Sequence, residues 1–454
     1  MDAKHTLVRG LGPVSATALI VGNMIGTGIY TLPASLALTA GPISLVSWLL
    51  TATGYLFLAI IYADMGTAYP RSGGPYVYAR RAFGSFVGFE VVYSYWLSNV
   101  IGNAAIVIAT VGYMGVFNQR LADSPALQVL VAQGVLWALT GINIVGVREG
   151  AAVQVMTTVA KTIPLLILSG VAIWRFNPGH LTPFAPHGVN AISSGAALTV
   201  WAFAGVESAT VPAEEVAAPQ TTIRRSTLWG FGIATGVYML VSLAVIGVLP
   251  NDDIAASVSP LARAAAQVFG PWGETLMAAS ALLAGRGVLN GWILLTGRIP
   301  ISAAGDGLFP APLARIHARF RTPHVSLLVS TAVTGVFLML RLSRSLIEAF
   351  DFIILLSVLL TLLPHLTTVV AELRLAEREP ESFPVRRHGL TRAITIVGLV
   401  FVLWIVYGTG VEAIWWGSVL LVAGIPIYGW LIKTGVRDQG SGVSEDQEPS
   451  SARH

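Results

Sequence analysis

The stretch GNMIGTGIYTLP, Gly22 to Pro33, interrupts an apolar segment that is long enough to cross a bilayer as one helix. Glycine and proline continue a helix poorly. At membrane depth, irregular backbone is tolerated only where protein or an aqueous cavity satisfies the freed N–H and C=O groups. The interruption therefore predicts a cavity. A second stretch, FAGVESATVP from Phe203 to Pro212, breaks another apolar segment in the same way. Gly26 precedes Pro33 by seven positions, and Gly205 precedes Pro212 by seven. Two proline-kinked helices of an ordinary bundle need no such match. A matched pair in the two halves of a membrane chain points to a ligand site between them.

The membrane assignment rests on charge. Only 11% of the 454 residues are charged and 54% are hydrophobic, whereas a soluble domain carries roughly 25% charged residues. Apolar runs recur along the whole chain, so no separate soluble domain is expected. The start, MDAKHTLVRG, lacks a signal-cleavage pattern. With no cysteine, disulfides and thiolate metal sites are excluded. His180 and His187 share a loop without carboxylates nearby, so no metal site and no cofactor is expected. Catalytic residues are not expected either: no nucleophile elbow or phosphate loop is present.

Twelve spans are expected, near residues 12–38, 41–68, 84–117, 125–147, 150–174, 191–216, 226–249, 271–304, 324–341, 346–371, 392–410 and 413–433. Most of the Lys and Arg residues fall on one set of alternating loops, which the positive-inside rule makes cytoplasmic. Arg71, Arg80, Arg81, Arg148, Arg224, Arg225, Arg315, Arg374 and Arg386 belong to that set. This placement of charge argues against nucleic acid as the partner and predicts both termini inside. The chain divides into a cytoplasmic N-terminus (1–11), two five-span blocks (12–174 and 175–371), two extra spans with their preceding loop (372–433) and a Ser-rich tail (434–454) expected to be disordered. An odd-numbered block inverts its successor in the membrane.

At a helix break the new half-helix presents unpaired N–H groups and a positive dipole end. Thr27 and Gly28 fall there, a place suited to a carboxylate; Thr27 has the alternative of capping its own half-helix. Around Trp201 and Ala204 the other half-helix ends in carbonyls suited to an ammonium group. Together the ends fit the head group of an α-amino acid. Tyr95, Asn99 and Asn103 share one helix face, as do Ser357, Thr361 and His365. Such stripes serve as interhelical glue or line a pathway. Trp201 and Trp292 offer faces that attract a cation or close a path. Glu207, Lys161 and Arg286 lie at membrane depth, where a charge costs at least ~2.5–3.5 kcal/mol and is a functional candidate by default. Lys161 is read either as a tie from the broken first span to the eighth or as a proton carrier. Arg286 receives no assignment.

The stretches GNMIGTGIYTLPASLA, SGGPYVYARRAFG, YWLSNVIGNAA, NIVGVR, WAFAGVESATVPAEEV, GWILLTG and AAGDGLFP carry a resemblance over roughly residues 10–433. The chain resembles the amino acid–polyamine–organocation superfamily, and within it the basic amino acid/polyamine antiporters. This resemblance implies an all-α integral membrane protein of twelve helices, with a five-plus-five inverted repeat and broken helices 1 and 6. That is the leucine-transporter-like fold, often a homodimer. It implies that Asn23, Met24, Gly26, Thr27 and Gly28 hold the substrate head group. Ser98, Asn99, Asn103 and Ser357 would meet its side-chain end. Trp201 would stack on the substrate and close the outer side, and Ala204 would offer its carbonyl. Trp292 would act as a middle gate. Tyr95, Glu207 and His365 would form the cytoplasmic gate, with Glu207 a candidate pH sensor. Against the arginine:agmatine pattern, Asn99 replaces a cysteine, Ile106 a methionine, Thr27 a serine and His365 a tyrosine. Lys161 stands where sodium binds in sodium-coupled relatives.

The implied activity is sodium-independent exchange of a cationic amino acid for its decarboxylated amine, of the arginine:agmatine type, by alternating access in the inner membrane. Acid resistance is the implied role, and no enzyme activity is implied. A proton-coupled permease using Lys161 or Glu207 is the alternative within transport. An amino-acid-sensing receptor and the light subunit of a complex are the alternatives outside it, the latter disfavoured by the missing cysteine.

Overall fold

The computed structural model describes residues 12–71, 73–146, 151–207, 216, 218–383 and 388–433. Seventeen α-helices follow one another in the described residues. The first half holds α1 (Pro13–Met24), α2 (Thr27–Thr39), α3 (Ser44–Ala68), α4 (Pro75–Phe83), α5 (Ser85–Met114), α6 (Gln119–Asp123), α7 (Pro125–Val145) and α8 (Ala151–Ala172). The second holds α9 (Ala191–Phe203), α10 (Pro219–Val248), α11 (Asn251–Ala255), α12 (Pro260–Phe269), α13 (Pro271–Gly305), α14 (His324–Leu338) and α15 (Leu346–Arg378), followed by α16 (His388–Gly408) and α17 (Gly410–Lys433). Eleven helical stretches are long and apolar enough to cross a membrane, with α1 and α2 together forming one of them. The remaining expected span is represented by α9, which is apolar but short. Its continuation through Pro212 lies outside the described residues, as do residues 1–11, Arg148, Arg386 and the tail from 434.

The inverted repeat is visible in which helices touch. Exchanging each span of the first block with its counterpart in the second turns α1–α10 into α9–α3, α1–α8 into α9–α15, α5–α15 into α13–α8, and α5–α7 into α13–α14. All of these pairs are in contact. The amphipathic connector α4 packs on α5 and α15, and its counterpart α12 packs on α13 and α8. Because lipid is as apolar as a leucine side chain, close backbone approach and polar pairs hold such helices together rather than apolar burial. Gly230 of α10 shows the first device: a Cβ there would lie 2.6 Å from Ile20 Cγ2 of α1. Thr199 shows the second, donating to Thr51 Oγ1 at 2.7 Å to join α9 to α3.

Ion pairs lie at both ends of the bundle, Arg263 with Asp253 and Arg344 with Glu412 at one end and the following pairs at the other, here the basic face. Arg80 of α4 meets Asp306, Arg81 meets Glu379 at 2.8 Å, and Arg224 of α10 meets Asp64 of α3. Tyr69 also donates to Glu379, at 2.9 Å. Bonding from Arg81 holds Glu379 below the usual carboxylate range, so this bridge stays charged until pH falls well into the acid range. The opposite face is closed by short elements: Asn251 of α11 donates to the Ala37 carbonyl near the end of α2 at 3.2 Å.

Candidate functional site

The first interruption is narrower than the sequence suggests. Only Ile25 and Gly26 lie between α1 and α2, while Gly22 stays inside α1 and Pro33 is carried within α2. Ile25 N–H still bonds to the Val21 carbonyl and Gly26 N–H folds back to Met24. Gly26 is extended, with φ −116°, so its lack of a side chain serves space: a Cβ would meet Val288 of α13 at 3.1 Å. The α2 N-terminus begins at Thr27, as the dipole argument requires.

At the second interruption α9 ends at Phe203 and the chain turns through Ala204 to Glu207. Gly205 takes φ +105°, a left-handed conformation that favours glycine. Aromatic packing fixes this helix end. Phe203 stacks on Tyr55 of α3 at 5.1 Å and meets Tyr238 of α10 edge-on at 5.5 Å, while the Tyr238 hydroxyl donates to the Ala202 carbonyl at 2.7 Å. The Trp201 carbonyl accepts from Ala204 N–H, at 3.3 Å. It is thus turned back on its own chain, while Ala204, with φ −56° and ψ 132°, leaves the helical conformation.

Between the two breaks lies one cavity. Asn23, Met24, Gly26, Thr27 and Gly28 line it from α1 and α2; Tyr95, Ser98, Asn99, Gly102, Asn103 and Ile106 from α5. Trp201, Ala202, Ala204 and Glu207 line it at the second break, Val288 and Trp292 from α13, and Ser357 and Thr361 from α15. Every residue expected to meet the substrate is therefore on the same wall system. Sequence reasoning did not name Gly102, Ala202 or Val288 for it; Gly102 carries no side chain to signal a role, and Ala202 and Val288 look like ordinary apolar span residues.

Trp201 lies across one side of the cavity. Its ring runs between Gly28 of α2 and Gly102 of α5: a Cβ at Gly28 would lie 3.2 Å from Cδ1, and one at Gly102 only 2.5 Å from Cη2. Toward the basic face Tyr95 donates to Glu207 Oε1 at 3.0 Å, and Glu207 Oε2 accepts from Gly205 N–H at 3.2 Å. Glu207 is the one acid among the described lining residues. Two polar atoms at the cavity, Thr27 Oγ1 and Asn103 Oδ1, are buried without a hydrogen-bond partner. Asn103 Nδ2 reaches Thr296 of α13 at 3.3 Å, and Asn99 donates to the Tyr95 carbonyl at 2.6 Å. The serines are engaged: Ser98 donates to the Ser357 carbonyl at 2.9 Å and Ser357 to the Ser98 carbonyl at 2.8 Å. These two join α5 to α15 while also lining the cavity, so glue and pathway are one structure here.

Two expected gate residues stand apart from the cavity lining. His365 of α15 lies between two tyrosines of α3, with Nε2 3.1 Å from the Tyr55 hydroxyl and Nδ1 2.8 Å from that of Tyr62. Both ring nitrogens are thereby used on α3, not on the Tyr95–Glu207 pair. Lys161 of α8 donates to the Gly22 carbonyl at 2.5 Å, near the C-terminal end of α1, where a helix dipole favours a cation. The bond from this region to α13 comes instead from Tyr30, whose hydroxyl donates to the Lys161 carbonyl at 3.1 Å and lies 2.8 Å from Ser280 Oγ. Arg286 is exposed on α13. Lys161→Met leaves the Gly22 carbonyl buried and unpaired, a change worth roughly 1–3 kcal/mol. The expected result is a lower apparent melting temperature in detergent, measured beside the unaltered protein; an unchanged midpoint removes the structural role.

Comparison with known proteins agrees with this architecture. A family model described as amino acid permease matches residues 11–436. A putative arginine/ornithine antiporter of Bacillus subtilis is 30% identical over 87% of this chain and 90% of its own. The putrescine transporter PotE of Escherichia coli is 30% identical over 92% and 95%. An arginine/agmatine antiporter of Chlamydia pneumoniae is 28% identical over 94% and 91%. Among solved structures, a mutant manganese transporter of Eremococcus coleocola covers 95% of this chain and 96% of its own with a TM-score of 0.61, at 14% identity, a likeness of fold alone. The chain is a multi-pass membrane transporter and not an enzyme, and it belongs to the amino acid permease family of the amino acid–polyamine–organocation superfamily.

Proposed function

We propose that the protein exchanges a cationic amino acid for its decarboxylated amine, arginine for agmatine or a close analogue, across the bacterial inner membrane without sodium. The observation that carries this reading is the pairing of two unlike ends at one cavity. The N-terminus of α2 suits a carboxylate, while Glu207, the Ala204 carbonyl and the vacant Asn103 Oδ1 suit positive charge. An amine without a carboxylate still finds the second set. One site then serves both partners of an exchange. The names of the relatives, which include arginine, ornithine, agmatine and putrescine, support the same substrate class.

In this reading the basic face is cytoplasmic, by the bias of Lys and Arg toward its loops. Blocks 12–174 and 175–371 rock against each other. Opening outward lifts Trp201 from between Gly28 and Gly102; opening inward parts Tyr95 from Glu207. Lys161 occupies a cation position beside the first break and removes the need for sodium. Exporting a divalent amine for a monovalent amino acid carries out one positive charge per cycle, which suits survival in acid.

The test is uptake of labelled arginine into proteoliposomes. The expected result is uptake only when arginine or agmatine is preloaded inside, with sodium having no effect. Strong uptake into empty vesicles under a proton gradient favours the symporter. No uptake of arginine, ornithine or putrescine under either condition overturns the cationic assignment.

A further inference from the structure

The connection between α13 and α14 carries a cluster of exposed cations. Arg315, Arg319 and Arg321 fall within seven residues, and no Asp or Glu occurs between Asp306 and Glu348. All three are exposed. Elsewhere on the basic face Arg80, Arg81, Arg224 and Arg392 each meet a carboxylate. Among the described residues no carboxylate meets Arg315, Arg319 or Arg321.

The backbone that carries them is held in one shape. The Thr322 carbonyl accepts from His317 N–H at 2.8 Å and from His324 N–H at 2.9 Å, and Arg321 N–H donates to the His317 carbonyl at 2.9 Å. His317 Nδ1 accepts from the N–H groups of Arg319 and Phe320, both at 3.2 Å. Arg321 takes φ +57°, a left-handed conformation that glycine or asparagine adopts at lower cost. The turn thus holds a third cation where backbone geometry alone favours a smaller residue. The loop also sits at the lipid-facing edge of the bundle. Thr322 Oγ1 donates to the Ile144 carbonyl at 2.6 Å, and a Cβ at Gly146 would lie 3.3 Å from the Phe320 carbonyl oxygen. It is therefore packed on the end of α7, where Ile142 and Val145 are exposed. The chain leaving it enters α14, which exposes Leu328 and Val329. Within the loop Ile316, next to Arg315, is 48% exposed.

Unpaired guanidinium groups beside an exposed isoleucine, at the ends of helices with apolar outer faces, match a surface that is anionic outside and apolar within. We propose that the loop from Arg315 to Arg321 docks on the headgroups of anionic phospholipids, with its guanidinium groups on phosphate and Ile316 at the boundary with the acyl chains. Guanidinium presents paired N–H donors to phosphate oxygens. Each arginine near an anionic membrane surface adds roughly fivefold to binding, so three together add about 100-fold. A turn held in advance lowers the ordering cost of that contact. The surface lies outside the cavity and does not depend on which molecule is transported.

The chain has no cysteine of its own, so Ile316→Cys on the full chain accepts a single environment-sensitive fluorophore. The labelled protein is placed in nanodiscs of phosphatidylcholine, alone or mixed with phosphatidylglycerol. Emission should move to shorter wavelength only in the discs with phosphatidylglycerol. The shift should be lost at about 1 M salt, where screening confines charge to about 3 Å. The triple variant Arg315→Gln, Arg319→Gln and Arg321→Asn should also lose it, while Arg225→Gln, which removes an exposed arginine of α10, should keep it. Inorganic phosphate added to the neutral discs should produce no shift. Emission alike in both kinds of disc leaves the loop to a soluble acidic partner and overturns the proposal. A shift that survives in the triple variant, is lost equally in Arg225→Gln, or is produced by inorganic phosphate overturns it as well. If the triple variant fails to fold, the dependence on phosphatidylglycerol and on salt decides.

Discussion

Gly102→Val should reduce exchange by at least about 100-fold while leaving the protein folded. The reason is a single close approach. A Cβ at Gly102 would lie 2.5 Å from Trp201 Cη2, 2.9 Å from Cζ3 and 3.2 Å from the Ser357 hydroxyl. Real carbons do not approach so closely, so one group must move. The helix α5 is held on both flanks by α13 and α15, and Ser357 is held by its reciprocal bonds with Ser98. Trp201 has room to give, because it is only partly buried and stands at the edge of the break. The valine therefore pushes the indole off the seat that closes the cavity. A closure that fails costs the transition between states, and each 1.4 kcal/mol added to that step is tenfold in rate. Gly102→Ala, with one carbon in place of three, should show a smaller loss in the same direction. The measurements are counterflow of labelled arginine and the elution of the detergent-solubilised protein on gel filtration. Normal counterflow by Gly102→Val shows that Trp201 does not close the path in this way.

Gly102 also shows where the sequence stops being readable. A glycine in an apolar helix gives no sign of its neighbour until α9 is placed against α5. The two interruptions were legible because Gly26 and Gly205 break a pattern that lipid enforces. The polar stripe through Tyr95, Asn99 and Asn103 was legible from its spacing of four, and it does line the cavity. The range of the first interruption was not: Pro33 reads as a breaker, yet within α2 it forfeits one backbone bond and the helix continues. Partners far apart in the chain were equally hidden. His365 shows a charge-capable ring, but only the fold supplies Tyr55 and Tyr62, some 300 positions earlier. Lys161 was legible as anomalous, and its carbonyl at Gly22 was not. The Ser357–Thr361–His365 face likewise splits in the structure: its first two members line the cavity, and the third is turned to α3.

Glu207→Gln should weaken binding of arginine and agmatine by about 30-fold or more, because removing one member of a desolvated charge pair typically costs 2–5 kcal/mol. The carboxylate is 1% exposed and is held by Tyr95 and by the Gly205 N–H. Among the described lining residues no other acid is present to share the cation. Glutamine keeps the size, and its one amide oxygen can still accept from Tyr95 while its NH2 group gives up the bond from Gly205 N–H, so the fold and the Tyr95 contact should persist. What it lacks is the charge. The effect should therefore scale with the ligand: largest for agmatine, with two positive groups and no carboxylate, and small for a neutral amino acid of similar length. Titration calorimetry with the three ligands on the purified variant measures this order. The pH dependence of exchange should flatten in the same variant, since the titratable group at the gate is gone. Equal weakening for all three ligands reassigns Glu207 to holding the helix break in shape. Unchanged agmatine affinity moves the cation to the Ala204 carbonyl and Asn103, and a neutral side chain then suffices at residue 207.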